Sequence, residues 1–363
     1  MTDQVMSLAI KDIHIKGFKA IDDLKLSFPS PDMKGDPNII VLGSRNGIGK
    51  TSIMEAVTLL YWSILEIIDD VDENTQRNQW KSTLVPSFLS EMPIREGADE
   101  VLLEANVEVS GVEGSIKVHF DEEDGFNFYT KLEVAIALKA LKQQIGVVVH
   151  QPDGSLFGRE NEPFLLPNFI YFHSYRKVQE GNIGMGMLVD NTATTRKRKN
   201  QDTPISIFKM EILRALMSQG GLFETKNVNE TKKTLDILNG LVREFAGGTI
   251  DKLRPASDNT MEFRVTPIHG GPTFNFDGLS SGQKEIISTL FLTWCLSKDR
   301  PGIVLIDEPE LHLNSEWHRK FVQYLTKLAP QNQYILATHS EDIFASVDPD
   351  RRILLEPDGG EQA

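Results

Sequence analysis

The chain has 363 residues, of which 40% are hydrophobic and 8% aromatic, enough for a sizeable buried core. Its single cysteine, Cys295, excludes a disulfide and a cysteine-based metal site, so we expect a reducing, cytoplasmic location. The net charge of −14 disfavours nucleic acid over the surface as a whole, so a nucleic-acid partner would need a local basic face. We expect no membrane partner, because no hydrophobic run reaches ~20 residues and no signal peptide is visible.

The first predicted elements are two strands, a third strand and a helix. Residues 8–28 alternate between hydrophobic and polar side chains in two runs with Gly17 between them, which predicts a hairpin. Residues 38–43 are a continuous hydrophobic run and predict a buried strand, and the amphipathic residues 50–67 predict a helix. The chain becomes polar from residue 69, where we place the end of a first domain, 1–68.

The residues between this strand and helix predict a glycine-rich loop that points backbone N–H groups at phosphates. Lys50 would reach the β- and γ-phosphates of a nucleoside triphosphate, and the Thr51 hydroxyl would hold Mg²⁺. Ser44 stands where such a loop has its first glycine and Gly43 precedes it, so Ser44 must tolerate a tight entry. The alternative is an ordinary glycine turn before a helix. The predicted nucleotide-binding residues here are Ser44, Arg45, Asn46, Gly47, Ile48, Gly49, Lys50, Thr51 and Ser52.

Residues 69–254 predict an insertion with antiparallel strands and a helical subdomain. Alternation over residues 101–109, 116–120 and 132–138 predicts strands with one solvated face. The basic run 196–199 lies in a polar stretch that predicts a flexible loop, with contact to nucleic acid or an acidic partner as the alternative. Two segments with helical spacing then complete the insertion.

The C-terminal part, residues 255–363, returns to alternating strands and helices. A hydrophobic run over 303–306 predicts a buried parallel strand that ends in Asp307 and Glu308. Ligands bind at this edge of open α/β sheets, so Asp307 would hold Mg²⁺ and Glu308 would deprotonate the attacking water. A strand that meets a surface turn is the alternative.

Two shorter motifs flank this strand. Residues 279–283, Leu-Ser-Ser-Gly-Gln, precede an amphipathic helix, and the glycine permits a close approach. His339 follows a predicted strand, 333–337, where it can reach a γ-phosphate. Each motif has a structural alternative, a serine helix cap for the first and a core or cap histidine for the second.

Four motifs in chain order resemble the ABC-type ATPase head: the phosphate loop, LSSGQ, DEPELHL at 307–313 and ATHS at 337–340. The branch that contains RecF, SMC proteins and OLD-type ATPases is the most similar, and residues 10–21 resemble its first hairpin. The resemblance implies an α/β P-loop NTPase fold, an ABC-type ATPase head with an antiparallel β subdomain and a helical insertion. It also implies hydrolysis of ATP with Mg²⁺ as cofactor.

The resemblance further implies a mechanism in which two copies enclose ATP in a two-fold dimer. Lys50, Glu308 and His339 would be the catalytic residues of one site. The other copy would cap that site with Ser281, Gly282 and Gln283. Such heads also place a glutamine near Mg²⁺, and Gln179 is our candidate, with a solvated loop glutamine as the alternative.

The resemblance guides three hypotheses about the biological role. Without a long coiled coil or a nuclease domain, the head is expected to be a sensor or regulatory ATPase with a separately encoded effector protein in bacterial antiphage defence. The alternatives are a RecF-like DNA-repair clamp and a scaffold that binds ATP without hydrolysing it. Assemblies larger than a dimer could use the insertion.

Overall fold

The computed structural model describes residues 7–31, 33, 35–44, 49–67, 79–82, 94–121, 125–145, 164–166, 168–178, 180, 183–184, 206–219, 228–256, 260–356 and 361–362. The N-terminal elements are the strands β1 (Leu8–Phe18), β2 (Ile21–Ser27) and β3 (Asn38–Ser44) and the helix α1 (Lys50–Ile67). The predicted third strand and first helix are therefore confirmed. The hairpin is also confirmed, but its turn lies at residues 19–20, because Gly17 is inside β1.

The middle of the chain contributes both strands and helices. In order these are β4 (Gln79–Ser82), β5 (Val101–Val109), β6 (Val112–Asp121), β7 (Gly125–Thr130), α2 (Leu132–Ile145), β8 (Phe164–Leu166), β9 (Phe169–Phe172), β10 (Ile183–Gly184), α3 (Ile207–Gln219), α4 (Val228–Ala246) and β11 (Gly248–Pro255). The basic run at 196–199 lies outside the described residues.

The strand predicted at residues 132–138 is wrong, since these residues begin helix α2. The side chains of Val134, Ala135, Leu138 and Leu141 are buried, a spacing that follows one face of a helix, whereas Ile136 is 37% exposed. A short alternating run fits both a strand and part of a helix, and here the longer stretch of helix-forming residues decides.

The C-terminal elements are β12 (Thr260–Pro267), β13 (Phe274–Asn275), α5 (Ser281–Ser297), β14 (Ile303–Asp307), α6 (Ser315–Leu328), β15 (Gln333–Thr338), α7 (Glu341–Phe344), β16 (Arg352–Leu355) and β17 (Glu361–Gln362). The predicted strands at 303–306 and 333–337 are confirmed, each with one more residue at its end. No helix within the described ranges is both long and hydrophobic enough to cross a membrane.

The strands pair into three sheets. One has six antiparallel strands in the order β2-β1-β5-β6-β7-β4. Another has seven strands in the order β17-β16-β3-β15-β14-β9-β8, parallel from β16 to β9. The third joins β10, β12, β11 and β13. The first two sheets combine segments of different predicted domains, and the division into 1–68, 69–254 and 255–363 stays a prediction.

The central strands β3, β15, β14 and β9 of the seven-stranded sheet are buried on both faces, as continuous hydrophobic strands require. Ile40 and Leu305 face a core that includes α1 and the six-stranded sheet, whereas Val41 and Ile306 face a core with α3 to α6. The side chain of Gln333 joins the two large sheets, because it accepts a hydrogen bond from the Ile10 N–H (2.8 Å) and donates one to the Ile10 carbonyl (2.7 Å). The two large sheets are therefore joined at the amino end of β15.

Candidate nucleotide site

Three parallel strands end at one edge and bring distant motifs together. In the pairing register Asp307 of β14 lies beside Ala337 of β15, which in turn lies beside Leu42 of β3. The residues that follow these strands therefore lie close together at the carboxyl edge of the sheet, although they are far apart in sequence. The structure places the predicted residues Lys50, Thr51, Asp307, Glu308 and His339 at this edge.

Lys50 begins α1 and its ammonium group lies inside the site. Its Nζ donates a hydrogen bond to Ser44 Oγ (2.7 Å) and lies 3.3 Å from His339 Nδ1. Burial lowers the pKa of Lys50, an effect that the nearby Asp307 and Glu308 carboxylates oppose. A phosphate at this place would compensate the buried charge better than the neutral Ser44 hydroxyl does.

The entry to the loop explains how a serine can replace the first glycine. Ser44 is the last residue of β3, and its φ is not in the left-handed region that favours glycine. Close packing affects the preceding residue instead, since a Cβ on Gly43 would lie 2.6 Å from the Phe344 ring. Gly49 does have a positive φ of 83°. The loop residues Arg45, Asn46, Gly47 and Ile48 lie outside the described residues, and their role stays a prediction.

The Asp307 carboxylate forms the centre of a candidate Mg²⁺ site. Thr51 Oγ1 donates a hydrogen bond to Asp307 Oδ2 (2.7 Å), and Asp307 Oδ1 is buried without a hydrogen-bond partner among the described residues. Burial raises the pKa of Asp307 to about 6, while the Thr51 hydrogen bond acts in the opposite direction. A carboxylate and a hydroxyl are oxygen ligands that Mg²⁺ accepts, so the residues present fit this ion. Gln179 lies outside the described residues.

The metal site would be completed by substrate and solvent. Among the residues that the structure describes, no group of three His, Cys, Asp or Glu side chains could hold a metal ion. Mg²⁺ commonly binds through one or two protein ligands plus phosphate oxygens and water. The pair of Thr51 and Asp307 matches that pattern.

Glu308 directly follows β14 in an unusual conformation. Its φ is +47°, which costs free energy for a residue other than glycine. Its N–H donates to the Ala337 carbonyl (2.8 Å), and its Oε1 lies 3.9 Å from His339 Nε2. The side chain is one third exposed, at 34%, so water can reach the carboxylate. Strain at such a position is typical of residues held for function.

Glu310 was not predicted as a site residue, although it belongs to the motif DEPELHL. Its carboxylate accepts hydrogen bonds from the His339 N–H (2.5 Å) and the Thr338 hydroxyl (2.7 Å). These bonds fix the backbone from which the His339 side chain extends. The second glutamate of the motif therefore positions the histidine rather than the phosphate.

The motif at 279–283 forms the start of α5 and packs on its own chain. Ser280 is the N-cap and forms a capping box with Gln283, whose Nε2 also donates to the Phe245 carbonyl (3.0 Å). A Cβ on Gly282 would lie 2.2 Å from the His312 carbonyl oxygen, so only glycine allows this approach. Ser281, the first residue of the helix, is exposed. The side chain of Gln283 is thus already engaged within its own chain.

Arg176 is the second residue that sequence reasoning missed as a site residue. Its guanidinium is buried beneath the Asp307–Glu308 turn and donates to the backbone carbonyls of both residues. It also pairs with Glu285 of α5. The four residues Arg176, Glu285, Ser281 and Glu308 line one cavity of about 570 Å³.

Together, fold and site define the class: the chain has the fold of an ABC-type ATPase head, with the motif residues of such a head at one edge of its parallel sheet. A solved Smc head domain derived from Pyrococcus furiosus, with an extended coiled coil and bound to the C-terminal domain of ScpA, shares this fold. It has a TM-score of 0.54 and 12% identity and covers 98% of this chain and 95% of that one.

A family model described as AAA domain matches residues 12–242, so the chain belongs to this family. A model described as AAA domain, putative AbiEii toxin, Type IV TA system matches residues 224–345. Retron Ec83 probable ATPase from Escherichia coli is 38% identical over 405 positions, which cover 96% of this chain and 72% of that protein.

Septu protein PtuA from Bacillus mycoides is 23% identical over 355 residues, 96% of this chain and 40% of that protein. The chain spans less than half the length of the first curated relatives it matches, 31% and 40%.

Proposed function

We propose that this protein binds ATP with Mg²⁺ at the carboxyl edge of the seven-stranded sheet and hydrolyses it. One observation carries the proposal: side chains from three sequence regions contact one another at this edge. Thr51 Oγ1 donates a hydrogen bond to Asp307 Oδ2 (2.7 Å). His339 lies between the other two groups, with its Nδ1 3.3 Å from Lys50 Nζ and its Nε2 3.9 Å from Glu308 Oε1. A cation, a buried carboxylate and a solvent-accessible carboxylate are the groups that phosphoryl transfer to water requires.

In the proposed reaction Glu308 accepts a proton from a water molecule, whose oxygen attacks the γ-phosphorus. The bond from that phosphorus to the bridging oxygen breaks, and ADP and inorganic phosphate leave. Lys50 holds the phosphate oxygens and His339 orients the γ-phosphate. Mg²⁺, held by Thr51 and Asp307, would neutralise charge on the phosphate oxygens.

We further propose that two copies close around ATP. Ser281 lies at the N-terminus of a long helix, whose partial positive charge suits a phosphate. Within its own chain Ser281 lines a cavity with Glu308 and His312, whereas neither Lys50 nor Thr51 lines that cavity. As the resemblance to ABC-type heads implies, Ser281 and Gly282 would serve the site of a second copy, in a two-fold arrangement. ATP would stabilise the closed dimer because it binds that state more tightly.

The proposed role is that of a regulatory ATPase in antiphage defence, with a separately encoded effector protein. The similarity to a retron probable ATPase and to Septu protein PtuA supports this assignment. A RecF-like DNA clamp would instead bind duplex DNA in an ATP- and salt-dependent manner, and a scaffold would bind ATP without releasing phosphate. Binding assays with duplex DNA at low salt separate the clamp from the other two.

The decisive experiment is Glu308→Gln, which keeps the shape of the side chain but removes the base. We expect phosphate release to fall by about 10²- to 10⁴-fold, while sedimentation shows more ATP-dependent dimer. Lys50→Ala should abolish both turnover and ATP-dependent association. Glu244→Gln, which alters a surface pair with Lys320, is the matched control and should leave turnover unchanged. Turnover that is equal in wild type, Lys50→Ala and Glu308→Gln would refute the proposal.

A further inference from the structure

We propose that Arg176 is a positioning residue of this ATPase, which holds the Asp307–Glu308 backbone and couples it through Glu285 to helix α5. This inference rests on the proposed function, because it concerns the geometry of the catalytic carboxylate. Arg176 contacts no reacting atom in the proposed reaction and acts through the two carboxylate residues.

The Arg176 guanidinium has four contacts, and two of them are with the backbone carbonyls of Asp307 and Glu308. Nη1 donates to the Asp307 carbonyl (2.6 Å) and the His173 carbonyl (3.0 Å), and Nη2 donates to the Glu308 carbonyl (3.1 Å). Two carbonyls of consecutive residues can accept from one guanidinium because its donors form a rigid planar fork. Lysine, a point charge on a flexible stem, cannot reproduce this geometry.

The turn needs such support because Glu308 has a positive φ of 47°. A strained residue keeps its conformation only when the surrounding structure holds it. The Glu308 N–H is fixed by the Ala337 carbonyl (2.8 Å), and its own carbonyl is fixed by Arg176. Both the N–H and the carbonyl of the strained residue Glu308 are therefore held, and loss of the Arg176 guanidinium would release the carbonyl.

Glu285 extends this connection to the helix that carries the LSSGQ motif. Glu285 Oε1 lies 2.8 Å from Arg176 Nη2, an ion pair whose angle falls short of a directed hydrogen bond, and both side chains are buried. One helical turn before Glu285, Gly282 lies against the carbonyl of His312, in the turn that follows Glu308. Helix α5 is thus connected to residues 307–312 in two ways, directly through Gly282 and indirectly from Glu285 through the Arg176 side chain. A shift of α5 on dimer closure would reach Glu308 through both connections.

A buried ion pair is weak evidence for stability, since desolvation can exceed the gain from pairing. Arg176 and Glu285 also line the cavity beside Glu308. Their arrangement is more readily explained by the position it imposes on Asp307 and Glu308. A purely structural role would alter the folded fraction, whereas a positioning role alters kcat in the folded protein.

The test measures steady-state phosphate release by Arg176→Lys and Glu285→Gln, with the binding of a fluorescent ATP analogue and thermal unfolding measured alongside. We expect Arg176→Lys to lower kcat by about 10²-fold, because a small displacement of a catalytic group has that effect. Glu285→Gln should lower kcat by about ten-fold. In both variants KM and nucleotide affinity should stay within about two-fold of wild type, since the phosphate-binding residues are untouched. The double variant should be no slower than Arg176→Lys, because the two residues act as a unit.

Arg319→Lys and Glu244→Gln are the matched controls, since both side chains form surface pairs, with Asp342 and Lys320. Neither should change kcat. A folded Arg176→Lys with wild-type kcat overturns the inference, as does a loss of kcat that equals the loss of nucleotide affinity. If Arg176→Lys does not fold, Glu285→Gln decides, and unchanged kcat overturns the inference. An overturned inference leaves the proposed function intact. The proposed function itself would fail if Lys50→Ala and Glu308→Gln released phosphate as fast as wild type.

Discussion

The two large sheets use polar side chains in opposite ways. At the edge of the seven-stranded sheet, Lys50 and Asp307 are buried and contact Ser44, His339 and Thr51. On the six-stranded sheet, by contrast, Lys11 pairs with Glu108 and His14 with Asp23 on the solvated face. The difference follows from strand direction, because parallel strands collect their carboxyl ends at one edge while antiparallel strands alternate them.

This comparison teaches where substitutions should affect chemistry and where they should affect only stability. The six-stranded sheet has a buried face of alternating hydrophobic residues, and none of the catalytic residues that we assign lies on it. Its contribution is a support, joined to β15 through Gln333. Changes in the support should therefore lower the free energy of unfolding without altering kcat.

The largest expected effect is that of Phe128→Ala in β7, which removes a fully buried ring from the six-stranded sheet. The free energy of unfolding should fall by about 3–5 kcal/mol, the usual cost of such a cavity. Urea unfolding gives this value, and phosphate release is normalised to the folded fraction. The kcat of folded molecules should equal wild type. A lower kcat in folded Phe128→Ala would break the comparison, because it would show that the support takes part in catalysis.

Gly282→Ala should have a smaller effect on stability but should affect both properties. The added Cβ would lie 2.2 Å from the His312 carbonyl oxygen, so α5 or the catalytic turn must move. We expect a loss of about 1–3 kcal/mol in unfolding free energy, as for other overpacked sites, together with reduced kcat. Gly240→Ala in α4 is the matched control, because nothing lies within 4 Å of its added Cβ. It should be neutral or stabilising by about 0.5–1 kcal/mol.

Glu285 predicts a pH dependence of stability at the functional edge. Burial raises the pKa of Glu285 to about 7, although the Arg176 charge opposes this shift. The folded state then binds a proton that the unfolded state has already released, so this contribution to stability is lost as pH rises through about 7. Between pH 5 and pH 8, the free energy of unfolding of wild type should fall by about 1–2 kcal/mol relative to that of Glu285→Gln. Urea unfolding at both pH values measures this, and an unchanged difference would contradict it.

The smallest effect is expected for the surface pair of Lys11 and Glu108, which joins β1 and β5 with an N–O distance of 2.6 Å. Glu108→Gln should change the free energy of unfolding by about 0.2–1 kcal/mol, and less at high salt. Phosphate release should be unchanged. Denaturant titrations at two salt concentrations check this, and a loss of several kcal/mol would show that surface pairs on this sheet are not weak.

Much of the site could be predicted because its residues lie in short motifs next to strongly patterned elements. The hydrophobic run before Asp307 predicts a buried strand, and the position of the carboxylates at its end follows directly. Residues 132–138 show the limit of this reasoning, because a short alternating pattern does not separate a strand from one face of a helix. Arg176 shows another limit, since its acceptors lie 131 and 132 residues further along the chain.

By itself, the sequence predicted the phosphate loop, the carboxylates Asp307 and Glu308 at the end of β14 and the class of fold, because periodicity and motif spacing are local properties. The tertiary structure alone decided that Gln333 joins the two large sheets and that Glu310 holds His339. It also decided that Arg176 and Glu285 connect α5 to the catalytic turn. Such contacts depend on which distant backbone groups packing brings within hydrogen-bond distance, and no local pattern of side chains encodes that.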